Sequence, residues 1–254
     1  MSQSLIQNLT RNMLRRIVRR TVKRQKSAGT AEVFERSWSS LLSNPLYRWA
    51  LRKYASDKDH FCMNTESLKF LTRTCPELFQ AVKISAPPEF IDEIRSDTPF
   101  VAVQIHDGSP NLTKFISDHK RPFSRIVRDP ERHMRRLKAL QLETPYINLI
   151  KRDVRSFSRL RNAIQDRHII CCAIDYKDED GKWAYLSPAI FGFAKQLMLP
   201  VIFIKSDVDC QGCVQIETST PHTVSEPELS AMAFQEFYNS VPGKKIDLTV
   251  RKYS

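Results

Sequence analysis

Phe100-Val101-Ala102-Val103-Gln104-Ile105 runs directly into His106-Asp107-Gly108-Ser109-Pro110-Asn111, an apolar segment followed by turn chemistry. A compact apolar run bounded on one side by Pro99 and on the other by Gly-Ser-Pro reads as a strand buried on both faces. Downstream of it the two kinds of element alternate. A helix is expected over 111–118, a strand over 123–127, a helix over 130–140, a strand over 146–150, a helix over 156–165, a strand over 168–174, a helix over 188–198 and a strand over 201–204. Strand and helix in strict turn predict an α/β fold: a mainly parallel sheet flanked by helices on both faces. The segment 213–218 is expected as an edge strand and 226–238 as a late helix.

Upstream of this core, 31–95 reads as a helical lead-in. Phe34, Trp38, Leu41 and Leu42 share one face, then Leu46, Trp49, Ala50 and Tyr54, with breaks at Pro45, Pro76, Pro87 and Pro88. Residues 1–30 form a separate compositional unit. Leu5, Ile6, Leu9, Met13, Leu14, Ile17, Val18 and Val22 recur at helical spacing, and Arg11, Arg15, Arg16, Arg19, Arg20, Lys23, Arg24 and Lys26 fall between the apolar positions, with no acidic residue before Glu32. The expected organisation is a basic amphipathic helix over 1–30 and a single α/β domain over 31–254, its core at 96–254. The helix has three readings: packed on the domain with a solvated charged face, laid on an anionic membrane surface through residues 1–27, or bound to nucleic acid. The membrane reading is preferred; the segment has no aromatic residue, which removes the stacking surface of a single-strand binder and leaves phosphate contacts to a duplex open.

Forty Lys and Arg against 28 Asp and Glu leave a net charge of +12, which suits an anionic partner without choosing among them. The chain's 254 residues can bury about 70–75% of their unfolded surface, so a core needs no staples. The 6 Cys, at 62, 75, 171, 172, 210 and 213, and the lack of a recognisable signal peptide point to a reducing cytoplasm. Cys210-Gln211-Gly212-Cys213 has the spacing of half a zinc site but no second ligand pair, so it reads as a hairpin with two free thiols and no metal is expected. The longest apolar segments fall far below the roughly 20 residues that cross a bilayer.

Reactive groups of parallel sheets collect where strands end. His106 stands at such an end and can act as a general base near neutral pH, while Gly108 permits a tight turn before a helix. Asp175 ends the strand 168–174 in the same way, although Asp178, Glu179 and Asp180 make an ordinary acidic loop an alternative. Arg125 and Arg128 lie within and just beyond one strand and Arg152 just beyond another, where a guanidinium can clamp a phosphate or carboxylate. No Gly-x-Ser-x-Gly elbow and no glycine-rich nucleotide loop occurs, which argues against a serine hydrolase or a nucleotide-binding enzyme.

Over roughly residues 100–217 the order of these pieces resembles the bacterial lipid A biosynthesis acyltransferases, the late acyltransferases related more distantly to glycerolipid acyltransferases. His106-Asp107-Gly108-Ser109-Pro110-Asn111 is similar to the family's His-x-Gly-x-x-acid frame. Arg125-Ile126-Val127-Arg128-Asp129-Pro130 resembles its arginine strand before an Asn/Asp-Pro helix start. Ile174-Asp175 and Ser187-Pro188-Ala189 through Leu199-Pro200-Val201 look like its later landmarks. The resemblance implies an acyltransferase-like fold and transfer of an acyl group from a thioester of acyl carrier protein or coenzyme A to a hydroxyl or amine. No tightly bound cofactor is implied. His106 would be the base, Arg125 or Arg128 would hold phosphate and Asp175 would support the site.

Two departures stand out. Asn111 occupies the position of the family's carboxylate; an amide can orient an imidazole but cannot stabilise its cation, and Asp107 is the nearest substitute. The family usually opens with a membrane-crossing helix, where this chain has the cationic one. The expectation is therefore an acyltransferase peripheral to the inner face of the membrane, with a catalytically silent lipid- or protein-binding relative as the alternative.

Overall fold

The computed structural model describes residues 3–25, 29–55, 62–106, 109–142, 144–177, 183–240, 246 and 248–250. The chain divides into two compact units. The first comprises the residues up to Ser85 with Ala139–Gln141 and Asp207–Gln215, and the second takes the remainder. The division falls at Ser85, and the N-terminal helix belongs with the helical lead-in.

In the first unit α1 (Gln3–Arg24), α2 (Thr30–Ser43), α3 (Pro45–Tyr54) and α4 (Met63–Thr74) are followed by a 3-10 turn (Pro76–Ala81) and the short strand β1 (Ile84–Ser85). Asn44 starts α3 by accepting the Tyr47 amide on its side chain at 3.1 Å, with Pro45 in the first turn where no amide is needed. Leu14 and Val18 of α1 are fully buried and Val22 nearly so, and α1 packs on α2, α3 and α4. Trp38, Leu41, Tyr47 and Leu51 complete this core.

The second unit begins with α5 (Pro88–Arg95) and β2 (Val101–Gln104), then α6 (Ser109–Asp118), β3 (Phe123–Val127), α7 (Pro130–Ala139), β4 (Ile147–Lys151), α8 (Ser156–Gln165) and β5 (Ile169–Ala173). The chain continues through β6 (Asp175–Lys177), β7 (Trp183–Leu186), α9 (Ala189–Gln196), β8 (Val201–Val208), β9 (Val214–Thr218), α10 (Pro227–Asn239) and β10 (Thr249–Val250), with the end of β8 and the start of β9, Asp207–Gln215, counted in the first unit. The main sheet has the order β1-β9-β8-β2-β5-β3-β4, with β2 parallel to both β8 and β5, and β3 parallel to both β5 and β4. The α/β architecture with a mostly parallel, helix-flanked sheet is thus present.

Strand alternation sorts the layers. Val101, Val103, Ile170, Cys172, Val201 and Phe203 join α8, α9 and α10 in one apolar cluster. On the opposite face Arg125 reaches α6, and Phe90 of α5 stacks on Phe115 of α6.

Three features depart from expectation. The strand expected over 168–174 ends at Ala173, and Asp175 opens β6 in a separate sheet of order β10-β7-β6. The segment expected at an edge is interior, because β1 pairs beyond β9 with Ile84 opposite Val214; two residues are too few to show a period. Finally, β8 extends past Ile204 through the buried Lys205, whose ammonium lies 5.5 Å from the Tyr238 ring centroid, a cation–π contact that helps a cation stay inside.

In the first unit, β8 turns into β9 through the Cys210–Cys213 segment. The Asp209 carboxylate accepts the amides of Gln211 and Cys213 at 2.8 and 2.9 Å, and the Trp38 indole N–H donates to the Cys210 carbonyl at 2.9 Å. Gly212 has φ +84°, and a Cβ there would sit 2.9 Å from the Trp38 ring. Gly212→Ala is therefore expected to destabilise the chain by about 1–3 kcal/mol, from a left-handed backbone and a clash with a fully buried indole. Urea unfolding checks this, and an unchanged midpoint would refute it.

Candidate active site

Strand order creates the site. From β2 the chain departs toward β3, while from β5 it departs toward β8, so the connections leave two neighbouring strands in opposite directions. Right-handed crossovers carry the following helices to opposite faces, so the carboxyl ends of β2 and β5 mark the switch point of the sheet, the place where ligands of such sheets bind. The Ile174 amide donates to the Gln104 carbonyl at 3.1 Å, which keeps the two chain segments in register beyond the strands. The next residue after Ile174 is Asp175, and two past Gln104 stands His106.

The two meet. Asp175 Oδ1 accepts the His106 backbone N–H at 2.8 Å and lies 2.9 Å from His106 Nδ1. Asp175 is only 5% exposed, whereas half of the His106 side chain is open to solvent. A carboxylate only accepts, so the ring donates to it from Nδ1. One oxygen holds both main chain and ring, which limits the imidazole's rotation.

Arg125 on β3 stands opposite Cys171 of β5, is buried, and donates from Nη1 to Thr113 Oγ1 of α6 at 3.2 Å. Burial pushes its guanidinium below the ordinary range, with the two neighbouring thiols and the Asp175 carboxylate acting in the other direction. It is an internal cation near Asp175 rather than an open clamp. Arg128, just past β3, is exposed. Arg152, just past β4, is also exposed and donates its amide to Val127, tying the two strand ends together at 2.8 Å. Its guanidinium carbon lies 4.8 Å from the Tyr176 ring centroid, and Tyr176 stacks on Tyr185 at 5.6 Å. Burial above all raises the Tyr176 phenol to about 12, so it stays protonated beside the carboxylate.

Asn111 on α6 is tied elsewhere: its amide nitrogen lies 3.5 Å from Ser206 Oγ of β8. The carboxylate that meets the imidazole is Asp175, at the end of the neighbouring strand. Asp107 and Gly108 lie outside the described residues. Cys171 and Cys172 have their thiols raised by burial to about 12, so neither supplies a thiolate nucleophile at neutral pH. Among the described residues no group of three or more metal-ligating side chains occurs.

His133 is a site residue that sequence reading passed over. It lies one turn into α7, which Asp129 caps by accepting the Arg132 amide at 2.9 Å, and α7 follows β3 at the same end of the sheet as the dyad. Burial first, then the positive fields of Arg125, Arg136 and His106, lower its pKa from 6.5 to about 4. It is neutral at pH 7 and can offer one donor and one acceptor. Between about pH 6.5 and 4 the unfolded chain binds the proton that folded His133 refuses, so stability falls as pH drops through that window. His133→Gln should flatten this part of the curve of urea midpoint against pH; a curve of unchanged slope would contradict the placement. The signal available in the sequence was its position four residues after Asp129, in the helix that Asp129-Pro130 starts at a strand's carboxyl end.

Compared with models of known protein families and with curated proteins, the chain has no match.

Proposed function

We propose that this chain is an acyltransferase that moves an acyl group from the thioester of a carrier protein or coenzyme A to a hydroxyl or amine acceptor. It would work from the cytoplasm, at or near a membrane, on the α/β frame of the late acyltransferases. The observation that carries the reading is the His106–Asp175 pair: a half-open imidazole whose Nδ1 is held by a buried carboxylate just past the carboxyl ends of β2 and β5. Such a base removes the acceptor's proton through Nε2 as the acceptor oxygen or nitrogen attacks the thioester carbonyl. The tetrahedral intermediate collapses by breaking the C–S bond, and the imidazolium returns the proton to the leaving thiolate. Asp175 stabilises the imidazolium, the part that Asn111 could not fill. Arg128 and Arg152, open to solvent at the ends of β3 and β4, suit a phosphate on donor or acceptor.

The catalytically silent reading drew its force from Asn111, and a carboxylate on Nδ1 weakens that motive. The test is release of free thiol from acyl-carrier-protein and acyl-coenzyme A donors with membrane extract as acceptor, the product identified by mass. Acylated product with wild type and none with His106→Ala is the expected result. No thiol release by wild type from either donor class would overturn the proposal and favour a binding role.

A further inference from the structure

The part of the α1 apolar stripe that carries Leu14, Val18 and Val22 is covered by protein rather than open to lipid. What remains open on the two helices is different. α1 exposes seven arginines and lysines between Arg11 and Arg24, and α3, packed beside it, exposes Arg48, Arg52 and Lys53. Neither helix contains an acidic residue. Among these cations stand exposed large apolar side chains: Leu9 on α1 at 56%, and Leu46 and Trp49 on α3 at 52% each. Leu46 and Trp49 are three residues apart and therefore neighbours on the helix surface.

We propose that the outer faces of α1 and α3 dock the protein on an anionic lipid bilayer, with Trp49 and Leu46 entering the headgroup layer and the arginines and lysines binding lipid phosphates. Charge alone would serve a nucleic acid equally well, but a phosphate backbone gives no reward to exposed leucines. An exposed indole beside an aliphatic side chain, on a helix that also exposes Arg48, Arg52 and Lys53, suits the layered chemistry of a membrane surface, apolar beneath and anionic at the headgroups. Among the described residues no helix is long and apolar enough to cross a membrane, so the contact is peripheral and falls with salt. The inference does not depend on acyl transfer, because it is read without turnover.

The experiment is sedimentation of the full chain with vesicles of phosphatidylcholine, alone or mixed with phosphatidylglycerol. Binding should require phosphatidylglycerol, weaken with added salt, and move tryptophan emission to shorter wavelength. Trp49→Ser combined with Leu46→Ser should weaken binding about tenfold or more and remove most of that shift. Arg16→Glu with Arg20→Glu should weaken it similarly. These side chains are exposed, and an unchanged thermal transition confirms that each variant folds. Wild-type affinity in the Trp49/Leu46 variant, equal binding to neutral vesicles, or binding to duplex DNA but not to anionic vesicles would each overturn the proposal.

Discussion

His106→Ala is expected to lower turnover by about 10²–10⁴-fold, the range that a positioned base contributes, while leaving stability within about 1 kcal/mol of wild type. Rate and stability rest here on different atoms. The ring that would abstract the proton is half open to solvent and holds little of the core together. The backbone N–H of residue 106, which donates to Asp175 at 2.8 Å, survives the substitution, so the buried carboxylate keeps a donor. Steady-state kinetics and urea unfolding of the same preparation separate the two. Full turnover in the variant would remove His106 from the chemistry, and a collapse of stability would mean that the ring is a structural member.

Asp175→Asn is expected to cost about 10²–10⁴-fold in turnover, because an amide lacks the charge that stabilises the imidazolium and its N–H group can turn the ring into the wrong tautomer. The substitution keeps size and one acceptor, so the His106 main chain can still be satisfied. Asp175→Ala removes both. It leaves the His106 N–H without its acceptor and takes away a carboxylate near the buried Arg125, for a loss of about 1–3 kcal/mol. A dyad predicts that Asn damages rate more than stability and that Ala damages both. If Asn at this position turned over normally, Asp175 would be a strut for the β2 terminus and His106 would act without it.

The positions of the two residues that form the candidate site were legible in the chain. His106 and Asp175 each follow an apolar run, and strand ends at one edge of a parallel sheet are where chemistry gathers. Their union was not legible. They are separated by 69 residues, and they meet because β2 pairs with β5 rather than with β3, the next strand in sequence. A linear reading reaches for the nearest candidate, Asn111, which α6 instead carries toward Ser206. His133 went unseen for a related reason: its environment is made by Arg125 and His106, which precede it on other elements. Arg125 looked like a clamp because a strand position alternates between faces, and only the packing of α6 shows that its face is covered.

The sequence by itself determined the periods: strand after helix from Phe100 onward, hence a parallel sheet, and an amphipathic α1 with its cations on one side. Those are consequences of local geometry, since apolar side chains at spacing two or three and four must share a face wherever that face ends up. Tertiary structure alone decided what each face meets. Apolar burial is non-directional and is satisfied by any apolar partner, so α1 could have met lipid as well as α2, α3 and α4, and β2 could have paired with several strands. Which partner won is a property of the whole chain's packing, and that choice brought Asp175 to His106.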